Sequence, residues 1–227
     1  MPSPLLPPAV RAALGAWLMH RRAKPVAFVL GLLPLAWLVM AAALDRLGAN
    51  PAEYLTRATG DWTLRFLCIA LAVTPVRVVL GLTPLARLRR MAGLFTFFYA
   101  LLHLLAYAWF DMGFEVDEIA RDIAKRPFIL VGMVAFGLLV PLAATSFNRA
   151  VKALGAVRWR ILHKAVFGIA VLALLHFYWM RSAKNDVAEV VVYALVLGFF
   201  MGWRVRHAWQ DRPGREERDA KPAQPAK

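Results

Sequence analysis

Five histidines carry most of the chemistry this chain can offer: His20, His103, His163, His176 and His207. His20 and His207 sit in basic segments, where a solvated or headgroup-facing imidazole is the ordinary outcome. The other three fall inside long apolar runs. An ionisable side chain in such a run is costly and points to function, and imidazole is a standard axial ligand of haem iron. The plainer role is an interhelical hydrogen bond to Ser, Thr, Tyr or a backbone carbonyl. A lone His favours that plainer role. Two histidines at one depth on different helices favour haem.

The elements that must position them are read from composition and hydropathy. The chain has 227 residues, 60% of them hydrophobic, with 28 Lys+Arg against 14 Asp+Glu and a formal charge of +14. That apolar content excludes a disordered chain, and Cys68, the single cysteine, excludes a disulfide scaffold. A bilayer-spanning helix needs about 20 mostly apolar residues. Six segments qualify: 26–44, 62–81, 92–110, 127–145, 160–180 and 187–203. The fold class is therefore all-α, a polytopic membrane protein. Its organisation reads as a basic N-terminal tail over 1–25, a six-helix domain over 26–203 and a basic C-terminal tail over 204–227, both tails poorly ordered. The first apolar run and its basic leader are long for a cleaved signal, so 26–44 reads as a retained span.

The charges set an orientation. With six spans both termini lie on one side, and 20 of the 28 basic residues fall there, against 4 of the 14 acids. The basic side is the cytoplasmic one. The positive charge is thus a membrane-topology signal, and nucleic acid is not an implied partner. Trp62, Trp109, Trp159, Trp179 and Trp203 lie at span ends, as interfacial anchors do.

Depth then follows from the helical rise of about 1.5 Å per residue. His103 is about 10 Å below the outer end of the third span and His176 about 6 Å below that of the fifth. The two are matched in depth on different helices, as a bis-histidine b-type haem requires. Small neighbours such as Ala100, Ala106, Gly168, Ala170 and Ala173 leave room for a flat macrocycle. His163 lies about 20 Å deeper than His176 and, on a continuous helix, about 140° around from it. The third span offers no histidine at that inner depth. His163 is thus open to a second haem with an unusual partner ligand, a quinone or a flavin. Arg77, Arg89, Arg90, Arg158, Arg160 and Lys164 lie near the same inner interface. They could hold a flavin phosphate or haem propionates, or simply obey the positive-inside rule.

Several stretches resemble a known family: TGDW (Thr59–Trp62), LAVTPVR (Leu71–Arg77), RRMAGLFTFFYALLHLLAY (Arg89–Tyr107), KRPFILVG (Lys125–Gly132), PLAATS (Pro141–Ser146), LGAVRWRILHKAVF (Leu154–Phe167) and LHFYW (Leu175–Trp179). Together they resemble the haem-binding membrane subunits of periplasmic protein-methionine-sulfoxide reductases (MsrQ/YedZ type), in the ferric-reductase-like transmembrane group. Phe167 departs from the pattern, where a Tyr is expected. The resemblance implies an electron-transfer subunit of the bacterial inner membrane. It would carry haem b, one or two per chain, and FMN. Electrons would come from quinone or a cytosolic flavin reductase and pass to a periplasmic molybdopterin-dependent reductase that performs the catalysis. The family's histidines fall on His103, His163 and His176.

The outer loop 111–126 is mixed in charge and is the candidate docking surface for that partner. Rival classes are a stand-alone ferric or cupric reductase, a transporter and a membrane scaffold. The chain has no GxGxxG segment for a fused nucleotide domain. No Asp or Glu falls inside the expected spans beyond their end positions, which weakens the transporter.

Overall fold

The computed structural model describes residues 5–182 and 186–210. Lys184 and the tail from 211 onward lie outside the described residues. The described residues form ten α-helices: α1 (Pro8–Met19), α2 (Ala23–Ala43), α3 (Pro51–Leu80), α4 (Arg89–Ala106), α5 (Val116–Lys125), α6 (Pro127–Ala144), α7 (Asn148–Leu154), α8 (Ala156–Leu162), α9 (Ala165–Ser182) and α10 (Ala188–Gln210). A 3₁₀ segment (Thr83–Leu88) leads into α4, and one π turn (Tyr107–Asp111) follows it. Six segments are long and apolar enough to cross a membrane: Ala23–Ala43, Pro51–Leu80, Thr83–Asp111, Pro127–Ala144, Ala156–Ser182 and Ala188–Gln210. Their number and order match the hydropathy reading. Helix ends carry the expected local signals. Prolines occupy the first turn of α1, α3 and α6, where no N–H is needed. Asn50 caps α3 through the Glu53 amide, and Gly81 closes it in the left-handed conformation, φ 67°.

Two antiparallel pairings dominate the bundle, α3 with α4 and α6 with α9. Large apolar side chains on α2 and α10 face outward, among them Phe28, Leu30, Leu33, Val192, Leu195 and Phe199. In water such a surface would drive association. In lipid it is the ordinary exterior.

The α2–α3–α4 contact is built around Tyr99, which is fully buried. Its ring stacks on Phe66 at 5.2 Å. Its hydroxyl donates to Gly31 O at 2.8 Å and accepts from Leu35 N at 3.1 Å. Those two groups are i and i+4 partners in an unbroken helix, so the phenol inserts into the α2 ladder. Gly31 makes the approach possible, because a Cβ there would collide with the Phe95 ring.

Internal prolines create a second need. Pro75 has no N–H for Leu71 O, four residues earlier. Arg204 of α10 donates to that carbonyl at 2.8 Å and lies over Phe167.

The structure differs from the sequence reading at several elements. Helix α3 begins at Pro51, not near residue 62. Glu53, Arg57 and Asp61 therefore lie on a spanning helix, where the expected spans held no internal acid. Glu53 and Arg57 pair one turn apart, which suits a helical surface. Trp62 is consequently not a span-end anchor: it packs on Phe66 with the Arg65 guanidinium over its indole. The expected N-terminal tail contains helix α1. Arg87 caps its C-terminus by donating to Leu18 O at 3.0 Å, and Leu5 N bonds Val79 O. Arg204 and Arg206, assigned to the C-terminal tail, continue α10.

Replacing Gly31 by Ala should lower thermal stability in detergent by about 1–3 kcal/mol, the usual cost of overpacking. Gly202→Ala, with open space around the added methyl, should stay within about 0.5 kcal/mol. Melting curves of the two purified variants check this.

Candidate functional site

His103 on α4 and His176 on α9 meet at the end of the bundle opposite Arg89 and Arg90. Their ring centroids are 6.1 Å apart, with planes at 78°. Each imidazole is held from a different side. His103 Nδ1 lies 2.8 Å from Thr56 O on α3. His176 Nδ1 lies 2.6 Å from Phe128 O on α6. A carbonyl only accepts, so each Nδ1 carries a proton and donates. In the neutral ring the lone pair then resides on Nε2. This is the arrangement by which a hydrogen bond to one ring nitrogen readies the other for a metal.

The donor set can be tested against candidate ligands. Among the described residues no group of three or more His, Cys, Asp or Glu side chains could hold a bare metal ion. A pair of imidazoles suits a metal that brings its remaining ligands with it. An ion held between two imidazole nitrogens places ring centres about 6 Å apart, from two bonds of ~2 Å and ~1 Å more to each ring centre. The observed separation fits. The residues therefore suit a haem iron with two axial histidines.

His163 is placed differently. It caps the C-terminus of α8, and α9 starts afresh at Ala165. The expected angular offset from His176 presumed one continuous helix, and that helix is broken. His163 Nε2 lies 3.1 Å from Thr145 Oγ1. The Thr145 hydroxyl donates to Pro141 O at 2.7 Å, so His163 Nε2 is the donor of the longer bond. In the neutral ring its lone pair is on Nδ1, the opposite nitrogen from that of His103 and His176. Trp159 stacks on His163 at 4.0 Å and donates its indole N–H to Thr145 O at 2.9 Å.

A pocket opens beside this cluster, walled by Leu67, Leu71, Leu139 and Val166. Its polar rim is Arg89, Arg90, Thr96, Ser146 and His163. Of the basic residues singled out in the sequence, Arg89 and Arg90 line it. Arg77, Arg158 and Arg160 do not, and Arg158 and Arg160 point to the exterior. Arg90 donates to Asn148 at 2.8 Å and lies over the Trp159 indole. Between the pocket and the histidine pair, Phe97 and Phe136 stack at 5.6 Å.

Segment 111–126, expected as a loop, is mostly helix. The exposed face of α5 carries Asp117, Glu118, Arg121 and Lys125. Asp122 is buried at 8% exposure. It accepts from the Tyr107 hydroxyl at 2.8 Å and pairs with Arg126 Nε at 2.8 Å. Tyr107 is one turn beyond His103, and Arg126 precedes the turn of α6 that supplies Phe128 O. This network ties the end of α4, which carries His103, to the start of α6, which supplies Phe128 O. The π turn at Tyr107 is a feature found often at functional sites.

Residues 29–174 match the family model described as "Ferric reductase like transmembrane component". The chain is 65% identical over 193 residues to a protein of Polaromonas naphthalenivorans named "Protein-methionine-sulfoxide reductase heme-binding subunit MsrQ", covering 85% of this chain and 88% of that one. Proteins of the same name from Herminiimonas arsenicoxydans and Ralstonia nicotianae are 49% and 46% identical, covering 83% and 92% of this chain and 87% and 92% of theirs. The chain belongs to the ferric-reductase-like transmembrane family, as a protein of the MsrQ type. No solved structure matches it. Membership makes it a multi-pass membrane protein, in agreement with its six apolar helices. The matched segment includes His103 and His163 and stops two residues short of His176.

Reasoning from sequence missed Arg204, Asp122 and the two carbonyls. Pro75 was the available signal for Arg204, since a proline inside a span leaves a carbonyl four residues earlier that needs a donor. Asp122→Ala should cost about 1–3 kcal/mol, the range for leaving buried hydrogen-bond partners unpaired. Glu118→Ala, from the exposed Arg121–Glu118 pair, should cost at most ~0.5 kcal/mol. Thermal unfolding of both variants in detergent provides the comparison.

Proposed function

We propose that this chain is the membrane electron-transfer subunit of a protein-methionine-sulfoxide reductase system, relaying electrons through a haem b held by His103 and His176. The observation that carries this reading is the imidazole pair, 6.1 Å apart with both Nδ1 atoms committed to backbone carbonyls. The relatives' name, heme-binding subunit, agrees with it. When bound, the haem supplies a one-electron site buried in the bilayer. The protein's own contribution is positional. Thr56 O and Phe128 O fix ring orientation and tautomer, and the apolar walls of α4, α6 and α9 keep water from the site. Asp122, Tyr107 and Arg126 hold the outer helix ends together beneath α5. Sulfoxide reduction takes place on the partner, a periplasmic molybdopterin-dependent reductase in this reading. The polar face of α5 is the surface offered to it.

Entry of electrons is assigned to the opposite end. The pocket edged by Arg89, Arg90 and His163 has apolar walls and a cationic rim, which suits a flat group with anionic or carbonyl oxygens. A second haem, FMN and a quinone share that chemistry, and the donor is quinone or a cytosolic flavin reductase. The basic end is cytoplasmic in this reading, so both termini are cytoplasmic and the chain lies in a bacterial inner membrane.

Two measurements test the proposal. Alkaline phosphatase fused after residue 227 should be inactive in cells, and a fluorescent protein fused there should fluoresce. The reverse pattern would invert the orientation. In proteoliposomes, an impermeant acceptor added on the α5 side should oxidise reduced wild-type chain. Rate loss of about tenfold or more is expected for His176→Ala, since electron transfer then lacks its carrier. Equal rates for wild type and variant would sink the relay.

A further inference from the structure

The two seats of the imidazoles share one local pattern that neither the family match nor the histidines themselves account for. The carbonyl that receives His103 Nδ1 is Thr56 O, and four residues later on α3 stands Gly60. The carbonyl that receives His176 Nδ1 is Phe128 O, and four residues later on α6 stands Gly132. In a helix each Cα–Cβ bond leans toward the N-terminus, so the side chain of residue i+4 covers the carbonyl of residue i. A long, thin donor can reach round such a side chain, but a rigid imidazole ring can lie closely over that oxygen where the covering side chain is missing. The space confirms the point. A Cβ on Gly60 would sit 3.2 Å from both Nδ1 and Cε1 of His103. A Cβ on Gly132 would sit 2.9 Å from Nδ1 and 3.0 Å from Cε1 of His176. Gly198 and Gly202 have nothing within 4 Å of the added atom. Neither Gly60 nor Gly132 has a positive φ, so the missing side chain, rather than backbone freedom, is what each supplies.

We propose that Gly60 and Gly132 are positioning residues for the two imidazoles: each opens its helix so that a histidine from the next helix donates Nδ1–H to the carbonyl one turn back. The proposal rests on the haem reading for its redox consequence, but the seat itself exists without the cofactor. A strong bond from Nδ1–H makes the imidazole a better electron donor at Nε2, which favours ferric over ferrous iron. Pushing the ring away weakens that bond and raises the midpoint potential. The effect is graded. At Gly60 the ring must yield by a few tenths of an ångström, whereas at Gly132 the contact is below what real side chains tolerate.

The test uses the full chain purified in detergent, with ¹⁵N-labelled histidine. In the haem-free wild type, the ¹⁵N spectrum should assign the Nδ1–H tautomer to His103 and His176. Gly132→Ala should shift His176 toward the Nε2–H tautomer. Gly60→Ala should shift His103 less, and Gly198→Ala should shift neither. In the haem-loaded protein, redox titration should give a more positive midpoint for Gly132→Ala than for Gly60→Ala, with Gly198→Ala at the wild-type value. Wild-type tautomers and potential in Gly132→Ala would overturn the proposal, as would a larger effect from Gly60→Ala. If Gly132→Ala does not accumulate, Gly60→Ala decides, and an unchanged His103 tautomer overturns it. A wild type that takes up no haem removes the haem reading while the ¹⁵N result still judges the seats.

Discussion

An imidazole inside an apolar bundle has no water to satisfy its N–H, so it must find a protein acceptor. His103 and His176 find backbone carbonyls on α3 and α6, and the rest of the site follows from that pair of bonds. They fix which ring nitrogen is free, set the ring orientations, and couple α4 to α3 and α9 to α6. Those are also the two most extensive helix pairings among the described residues. The centre of the bundle is thus two helix pairs, each presenting one histidine, with α2 and α10 packed against them. What sits between the histidines is decided by chemistry they leave available: two nitrogen lone pairs, about 6 Å of ring separation and no further ligand.

The opposite end of the bundle follows a different logic. Arg89, Arg90 and Arg204 lie near the boundary of the apolar region, and among the described residues no carboxylate lies on that basic side. Charges left there require other partners. Arg204 meets a carbonyl freed by Pro75, and Arg90 meets Asn148 and the Trp159 ring. Thr145 receives both His163 and Trp159 at the end of α6, so the broken connection between α8 and α9 is fastened where the pocket opens. One end holds a ligand-ready pair and the other a cationic, apolar-walled cleft. That asymmetry is what a vectorial carrier needs.

Much of this was legible in the sequence. Runs of apolar residues identify six spans because hydrocarbon tolerates little else, and depth counting pairs His103 with His176 because helical rise is constant. The failures have local causes. The first eleven residues of α3 contain Glu53, Arg57 and Asp61, which lower hydropathy although the segment is helical. The fifth span reads as one helix because His163 and Lys164, the two residues between Leu162 and Ala165, are neither Gly nor Pro, yet the chain turns there. Helix α5 reads as a loop because half of its residues are charged, and only Ile119, Asp122 and Ile123 turn inward. The seats at Thr56 and Phe128 are backbone atoms, which no residue type announces. Their glycines were visible in TGDW and KRPFILVG, but their use depends on which helix lies alongside.

The central claim is that His103 and His176 together hold one low-spin haem. The most direct measurement is the oxidised and dithionite-reduced absorption spectrum of the purified chain, alone and as His103→Ala, His176→Ala and His163→Ala. The account predicts a sharp reduced α-band of b-type haem in the wild type, lost when either His103 or His176 is removed. Survival of that band unchanged in both variants, or a wild type devoid of haem after expression with added haem precursor, would contradict it.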